Sequence, residues 1–186
     1  NKQTPQILEF SKLNINATNF LINGSDVSAR INTLSFKDSR GLEMENLSTN
    51  FGYTLTQMTF DDLDIKTKNS VLKGDLKFSY NREDFSDFEN KVLVTANFKN
   101  ADVALNELNT FYNEFGANEH AKFDTEVSGT LNNLNLTNLK LTTSNNTKIY
   151  GDIKFKNLLN SAENDFAMHG EFNNLSSNYR DLKSLL

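Results

Sequence analysis

The chain has 186 residues, a formal net charge of −5 and 37% hydrophobic residues, with its 24 acidic and 19 basic side chains interspersed. No basic cluster or stripe is present, so nucleic acid is not an expected partner. No Cys occurs, which rules out a disulfide framework and a thiolate metal site. Polarity comes mainly from short side chains, with 29 Asn, while a single Pro and eight Gly are too few for a linker.

Alternation of apolar and polar residues, the signature of half-buried strands, begins early and hardly stops. Leu13, Ile15 and Ala17 form a first run. Val27, Ala29 and Ile31 form the next, followed by Leu34/Phe36 and Leu42/Met44. Phe51, Tyr53 and Leu55 precede the pairs Met58/Phe60 and Leu63/Ile65, which Asp61-Asp62 separates. Leu76, Phe78 and Tyr80 follow Gly74. The stretch Asn81 to Asn90 is a charged loop and the weakest boundary in the chain. Beyond it stand Val92, Val94, Ala96 and Phe98, then Phe123 to Leu131, Leu134/Leu136, Leu139/Leu141, Ile149 to Phe155 and Phe166 to Phe172. Breaks at Asn23-Gly24, Asp38 to Gly41 and Ser144 to Asn146 suit tight turns. The pattern predicts roughly 14 strands, mostly in antiparallel hairpins.

Two stretches change period. Leu105, Leu108, Phe111, Tyr112 and Phe115 recur at spacings of three and four, predicting an amphipathic helix over Ala104 to Phe115 that Gly116 stops. Tyr179, Leu182, Leu185 and Leu186 predict another over Ser176 to Leu186, capped by Ser176 or Ser177. Each helical stripe suits packing against the sheet, or a movable plug over a groove.

These elements form a unit that occurs twice, over about 60–115 and 136–186. Phe60, Leu63, Ile65, Leu72, Gly74, Leu76 and Phe78 match Leu136, Leu139, Leu141, Ile149, Gly151, Ile153 and Phe155 at offsets of 76 and 77; Phe98 matches Phe172 at 74. Repetition at this scale predicts an elongated, stacked object. The chain reads as one domain, a segment of something longer.

Motifs for chemistry are lacking. There is no phosphate-binding Gly loop and no nucleophile elbow. His120 and His169 sit apart with no zinc spacing. Asp62 and Asp64 share parity on a polar strand face, and Glu83, Asp84, Asp87 and Glu89 read as a solvated loop without the calcium-loop pattern. No catalytic residue, metal or cofactor is expected. The several Asn-x-Ser/Thr triplets carry no weight in so Asn-rich a chain.

About 14 strands at about 4.8 Å spacing would extend roughly 65 Å, with one apolar face to cover. The sheet could pack shut as a sandwich or curl into a greasy trough. Small inward residues, Ala17, Ala29, Ala96, Gly129 and Gly170, lean toward a trough that leaves room for another molecule.

Several stretches look familiar as a set: Leu63-Asp64-Ile65-Lys66-Thr67 with Leu72-Lys73-Gly74-Asp75-Leu76, Ala104 to Tyr112, Val127-Ser128-Gly129-Thr130-Leu131, and Ser177 to Lys183. Their order resembles the TamB family of translocation and assembly module proteins in its Bacteroidota form, and more broadly the AsmA-like superfamily, from about Leu34 to the end. The resemblance implies a mainly β fold, an elongated antiparallel β-taco with a hydrophobic groove and two short amphipathic helices. It implies a periplasmic segment of an inner-membrane-anchored protein that conducts phospholipids toward the outer membrane, with an outer-membrane barrel protein of the TamA or BamA type as partner. Phospholipid acyl chains would then lie against Ile65, Leu76, Phe78, Val94, Phe98, Val127, Leu141, Ile153, Phe155 and Phe172. The rival expectation is an assembly scaffold for outer-membrane proteins, with no lipid in the groove and exposed edge strands for a client.

Overall fold

The computed structural model describes residues 9–39, 41–108, 119–159 and 166–177. They form ten antiparallel strands in one curled, unclosed sheet whose strand order follows the chain. The strands are β1 (Phe10–Asn23), β2 (Asp26–Asp38), β3 (Glu43–Tyr53), β4 (Gln57–Thr67), β5 (Val71–Ser79), β6 (Leu93–Ala104), β7 (His120–Gly129), β8 (Leu134–Thr143), β9 (Lys148–Lys156) and β10 (Ala167–Ser176). Among the described residues no second sheet covers the first, so a trough and not a sandwich is formed.

Ten strands replace the expected 14 because what reads as a break is often a bulge inside one strand. In β4 the αL residue Asp62 lets Met58/Phe60 and Leu63/Ile65 share a single strand. Asn138 does the same for Leu134/Leu136 and Leu139/Leu141 in β8. Each bulge flips parity, so apolar side chains at even positions before it and odd positions after it face the same way. The expectation that Asp62 and Asp64 share a regular polar face therefore fails: Asp62 is the bulge residue, with φ 50°.

The charged stretch Asn81 to Asn90 is no boundary either. It folds as a 3-10 turn (Arg82–Asp87) running into α1 (Phe88–Lys91). Its rings pack back on the sheet, Phe85 on Tyr80 at 4.5 Å and Phe88 on Phe78 at 5.7 Å between centroids. The first expected helix is seen as α2 (Leu105–Leu108); its remainder, and the second helix beyond Ser177, lie outside the described residues.

Register alone shows how the apolar face is built. Ala29, Phe51, Phe60, Leu76, Ala96, Val127, Leu136, Ile153 and Gly170 pair side by side in one unbroken row from β2 to β10. The adjacent row alternates to the other face: Ser28, Gly52, Thr59, Lys77, Thr95, Ser128, Asn135, Lys154 and His169. That polar face carries exposed ion pairs such as Lys66–Glu45 at 3.0 Å and Lys73–Asp64 at 3.1 Å, each contributing well under about 1 kcal/mol.

Candidate functional site

The bulges fall along one line across the sheet. Residues 61–62 of β4 stand opposite Asp75, residues 99–100 of β6 opposite Asp124, and residues 137–138 of β8 opposite Asp152. The second residue of each pair, Asp62, Asn100 or Asn138, has φ between 50° and 54°. Its N–H donates to the facing carboxylate, at 2.9 Å for Asp75, 2.6 Å for Asp124 and 2.9 Å for Asp152. The three αL residues are spaced 38 apart. Asn and Asp tolerate this conformation better than other side chains, and a bulge strengthens local twist and bends its strand. A line of such bends gives a sheet its curvature.

The repeat seen in the sequence is this device, written over four strands. Thr49 of β3 and Thr125 of β7, both buried, donate their hydroxyls to the carbonyls of Asp61 and Thr137, at 2.8 Å and 3.1 Å. Those carbonyls directly precede the αL residues. Leu63 and Leu139, directly after them, are buried. Gly74 and Gly151 precede the accepting aspartates, and a Cβ at either would stand 2.0 Å or 2.1 Å from a carbonyl oxygen of the next strand. The matching residues are 76 or 77 apart, so the repeat starts earlier than Phe60, at Thr49.

Over β5 to β8 the curl forms an open hollow of about 430 Å³. Both halves of each strand line it: Leu72 and Leu76, Ala96 and Val103, Phe123 and Val127, Leu136 and Leu141, on either side of the bulge line. Fourteen of the described residues line it and thirteen are apolar; the other, Thr125, has its hydroxyl turned to backbone carbonyls. Among the described residues no charged side chain reaches it.

Of the expected lining residues, Leu76, Val94, Phe98, Val127 and Leu141 meet there. Ile65 shares the apolar face, paired with Leu47 and Leu72, but lies outside the lining. Phe78 also lies outside it, covered by Phe88. Ile153 is buried beside Leu136. Phe155 packs on Phe166, and Phe172 at the far edge is 40% exposed. Sequence reasoning missed Leu72, Val103, Phe123, Leu131, Leu134, Leu136 and Leu139. The parity flip at Asn100 and Asn138 is the signal that finds Val103 and Leu139. Of the small inward residues, Ala96 does line the hollow. Gly129 instead makes way for the Asn133 carbonyl, and the space over Gly170 is filled by the Phe172 ring.

The turns on either side of the hollow are stitched together. On one side, buried Asn132 in the β7–β8 turn donates its N–H to the Glu89 carbonyl and its Nδ2 to Asn90 Oδ1, at 3.0 Å and 2.9 Å. It accepts from the N–H groups of Leu158 and Leu159, at 2.9 Å and 3.1 Å. On the other side, the α2 carboxylate of Glu107 accepts from the hydroxyls of Thr67 and Ser70 at 2.5 Å each, and from the Asn69 N–H at 3.2 Å. His120 Nδ1 lies 2.8 Å from Asp102 on that same side.

Among the described residues no three acidic or His side chains converge as a metal site, and no helix is long and apolar enough to cross a membrane. Comparison with protein-family models, with curated proteins and with solved structures returns no match.

Proposed function

We propose that this chain is a trough segment that carries the acyl chains of phospholipids, within an envelope-spanning bridge of the TamB kind. One observation carries the reading: an apolar row unbroken across nine strands, running under an open hollow with no charged lining residue among those described. A hydrocarbon tail gains about 0.8 kcal/mol for each CH₂ it removes from water, and it asks nothing of the wall but apolar surface. The head group would remain in solvent. The chain's own part is to hold a shape and exclude water; no bond is made or broken. A barrel partner at the outer membrane belongs to this proposal through the sequence resemblance, with no surface assigned to it.

The test is photo-crosslinking from a benzophenone amino acid at Leu136, inside the hollow, and at Lys154, on the polar face of the next strand and adjacent to Ile153, the register partner of Leu136. With mixed phosphatidylethanolamine and phosphatidylglycerol supplied, mass spectrometry should find lipid adducts at Leu136 and not at Lys154. Equal capture at both, or none at Leu136, would sink the conduit.

A second reading, an assembly scaffold with no lipid, is favoured by β1. All fourteen of its residues are exposed, among them Leu13, Ile15 and Phe20, at one edge of the sheet. Protein-only adducts at Leu136 would favour it.

A further inference from the structure

β10 is a copy of β6 with one neighbour fewer. Phe172 lies 74 residues after Phe98; Phe98 pairs with Gly74 and Phe172 with Gly151, the matching glycine. Both strands then bulge against the strand before them, between Phe98 and Asp102 in β6 and between Phe172 and Asn174 in β10. In β6 the N–H of Asn100 points away from β5 to β7, where Asp124 accepts it at 2.6 Å, and Asn100 adopts φ 52°. The matching residue in β10 is Asn174. Among the described residues no strand lies on that side of β10. Neither Asn173 nor Asn174 has taken up a positive φ, and both are exposed. Among the described residues the edge thus carries the bulge, and none supplies the carboxylate that completes it at the three other bulges of this kind.

We infer that the free edge of β10 accepts one further antiparallel protein strand, patterned like β7, with an aspartate opposite Asn173-Asn174. Backbone hydrogen bonds along the edge supply affinity in such strand addition. The single carboxylate supplies register: slipping by one residue would move it off the Asn174 N–H and turn the incoming apolar residues to the polar face. Docking would draw Asn174 into the left-handed conformation that Asn100 already holds. The inference does not depend on what fills the hollow.

The test titrates the 186-residue chain against a fluorescein-labelled peptide of its own residues 119–131, read by fluorescence anisotropy. Saturable binding is expected, and about tenfold weaker binding by the same peptide with Asp124→Ala, since a charge-assisted hydrogen bond is lost. In the protein, Asn174→Pro removes the N–H and forbids positive φ, and should abolish binding. Asn174→Gly, which favours that φ, should match or tighten it. Circular dichroism on both variants checks that the sheet is intact. Absence of saturable binding to the unaltered chain, equal binding of the two peptides, or undiminished binding to Asn174→Pro would each overturn the inference. Self-association of the chain, removed by Asn174→Pro without any peptide binding, would assign the edge to a second copy and overturn it too.

Discussion

The backbone N–H of Asn138 lies 2.9 Å from a carboxylate oxygen of Asp152 on the next strand, with Asn138 in the left-handed conformation. The pair bends β8 where the hollow needs a bend, and the chain repeats it at Asp62–Asp75 and Asn100–Asp124. Asp152→Ala should cost about 1–2 kcal/mol, the share of a hydrogen bond to a charged acceptor that survives partial exposure. Asn138→Val should cost a similar amount, because a β-branched residue at positive φ is strained by roughly 1–2 kcal/mol. Asn138→Gly should be nearly neutral. Urea midpoints of the three variants check the order. Asp152→Ala and Asn138→Val should lie low and Asn138→Gly close to the unaltered chain; three equal midpoints would show that neither the carboxylate nor the left-handed backbone holds the bulge.

Gly151 and Gly74 test the same device from the packing side. An added Cβ would sit 2.1 Å from the Glu171 carbonyl oxygen in one case and 2.0 Å from that of Asn97 in the other, at φ of 156° and 151°. Backbone cannot yield as a flexible side chain would. Gly74→Ala, with sheet on both sides, should lose several kcal/mol and cooperative unfolding with it. Gly151→Ala abuts the edge strand β10, which can peel away, so it should lose less. Thermal melts followed by circular dichroism distinguish the two.

Much of this is legible in the sequence, and the remainder is not, for two physical reasons. The mainly β fold and its two-sided strands follow from period-2 patterning, which register rows then realise residue for residue, as from Phe51 to Phe60 to Leu76. The repeat was visible in Gly74/Gly151 and Phe98/Phe172 because close backbone approach and a buried-face ring restrict residue type. Strand number was misread because Asp61-Asp62 and Thr137-Asn138 look like turns; a bulge and a turn use the same residues, and only cross-strand pairing separates them. The lining is half legible for a second reason. Parity finds which face Val94 and Phe78 share, but that Phe88 folds back over Phe78 is a tertiary fact with no local period.

Tyr80 sets an alkaline limit. Burial pushes its phenol above the ordinary value of 10.0, with Tyr53 adding to the rise, while its hydroxyl donates to the Thr54 carbonyl at 3.1 Å. A group that holds its proton more tightly when folded contributes stability that is complete below the unfolded value and is lost as pH climbs through the folded one. The fold should therefore weaken above about pH 10. Tyr80→Phe should start about 1 kcal/mol lower at neutral pH, for the lost hydrogen bond, and then fall less steeply. Urea midpoints between pH 8 and pH 11 on both proteins give the comparison; parallel slopes would show that Tyr80 plays no part.

Asn132 joins the β7–β8 turn to both neighbouring connections, and its side chain serves both through different atoms. Nδ2 donates to Asn90 Oδ1 ahead of β6, and Oδ1 accepts from the Leu159 N–H beyond β9. Asn132→Ala removes both bonds; their partners, Asn90 and Leu159, are exposed and can turn to water, so it should cost about 1–2 kcal/mol. Asn132→Asp keeps the acceptor and loses the donor, so it should release residues 89–91 while Leu159 stays held. Hydrogen exchange resolves this: the Leu159 amide should exchange faster in Asn132→Ala alone. The Asn132 amide itself donates to the Glu89 carbonyl at 3.0 Å, so it should speed up in both variants as α1 loosens. The hollow is bordered by Leu131 of this turn and by Leu134, where β8 begins. If the stitch holds the trough to its width, both variants should also alter lipid capture at Leu136. A change in exchange with no change in capture would mean that the stitch stabilises the turn without shaping the hollow.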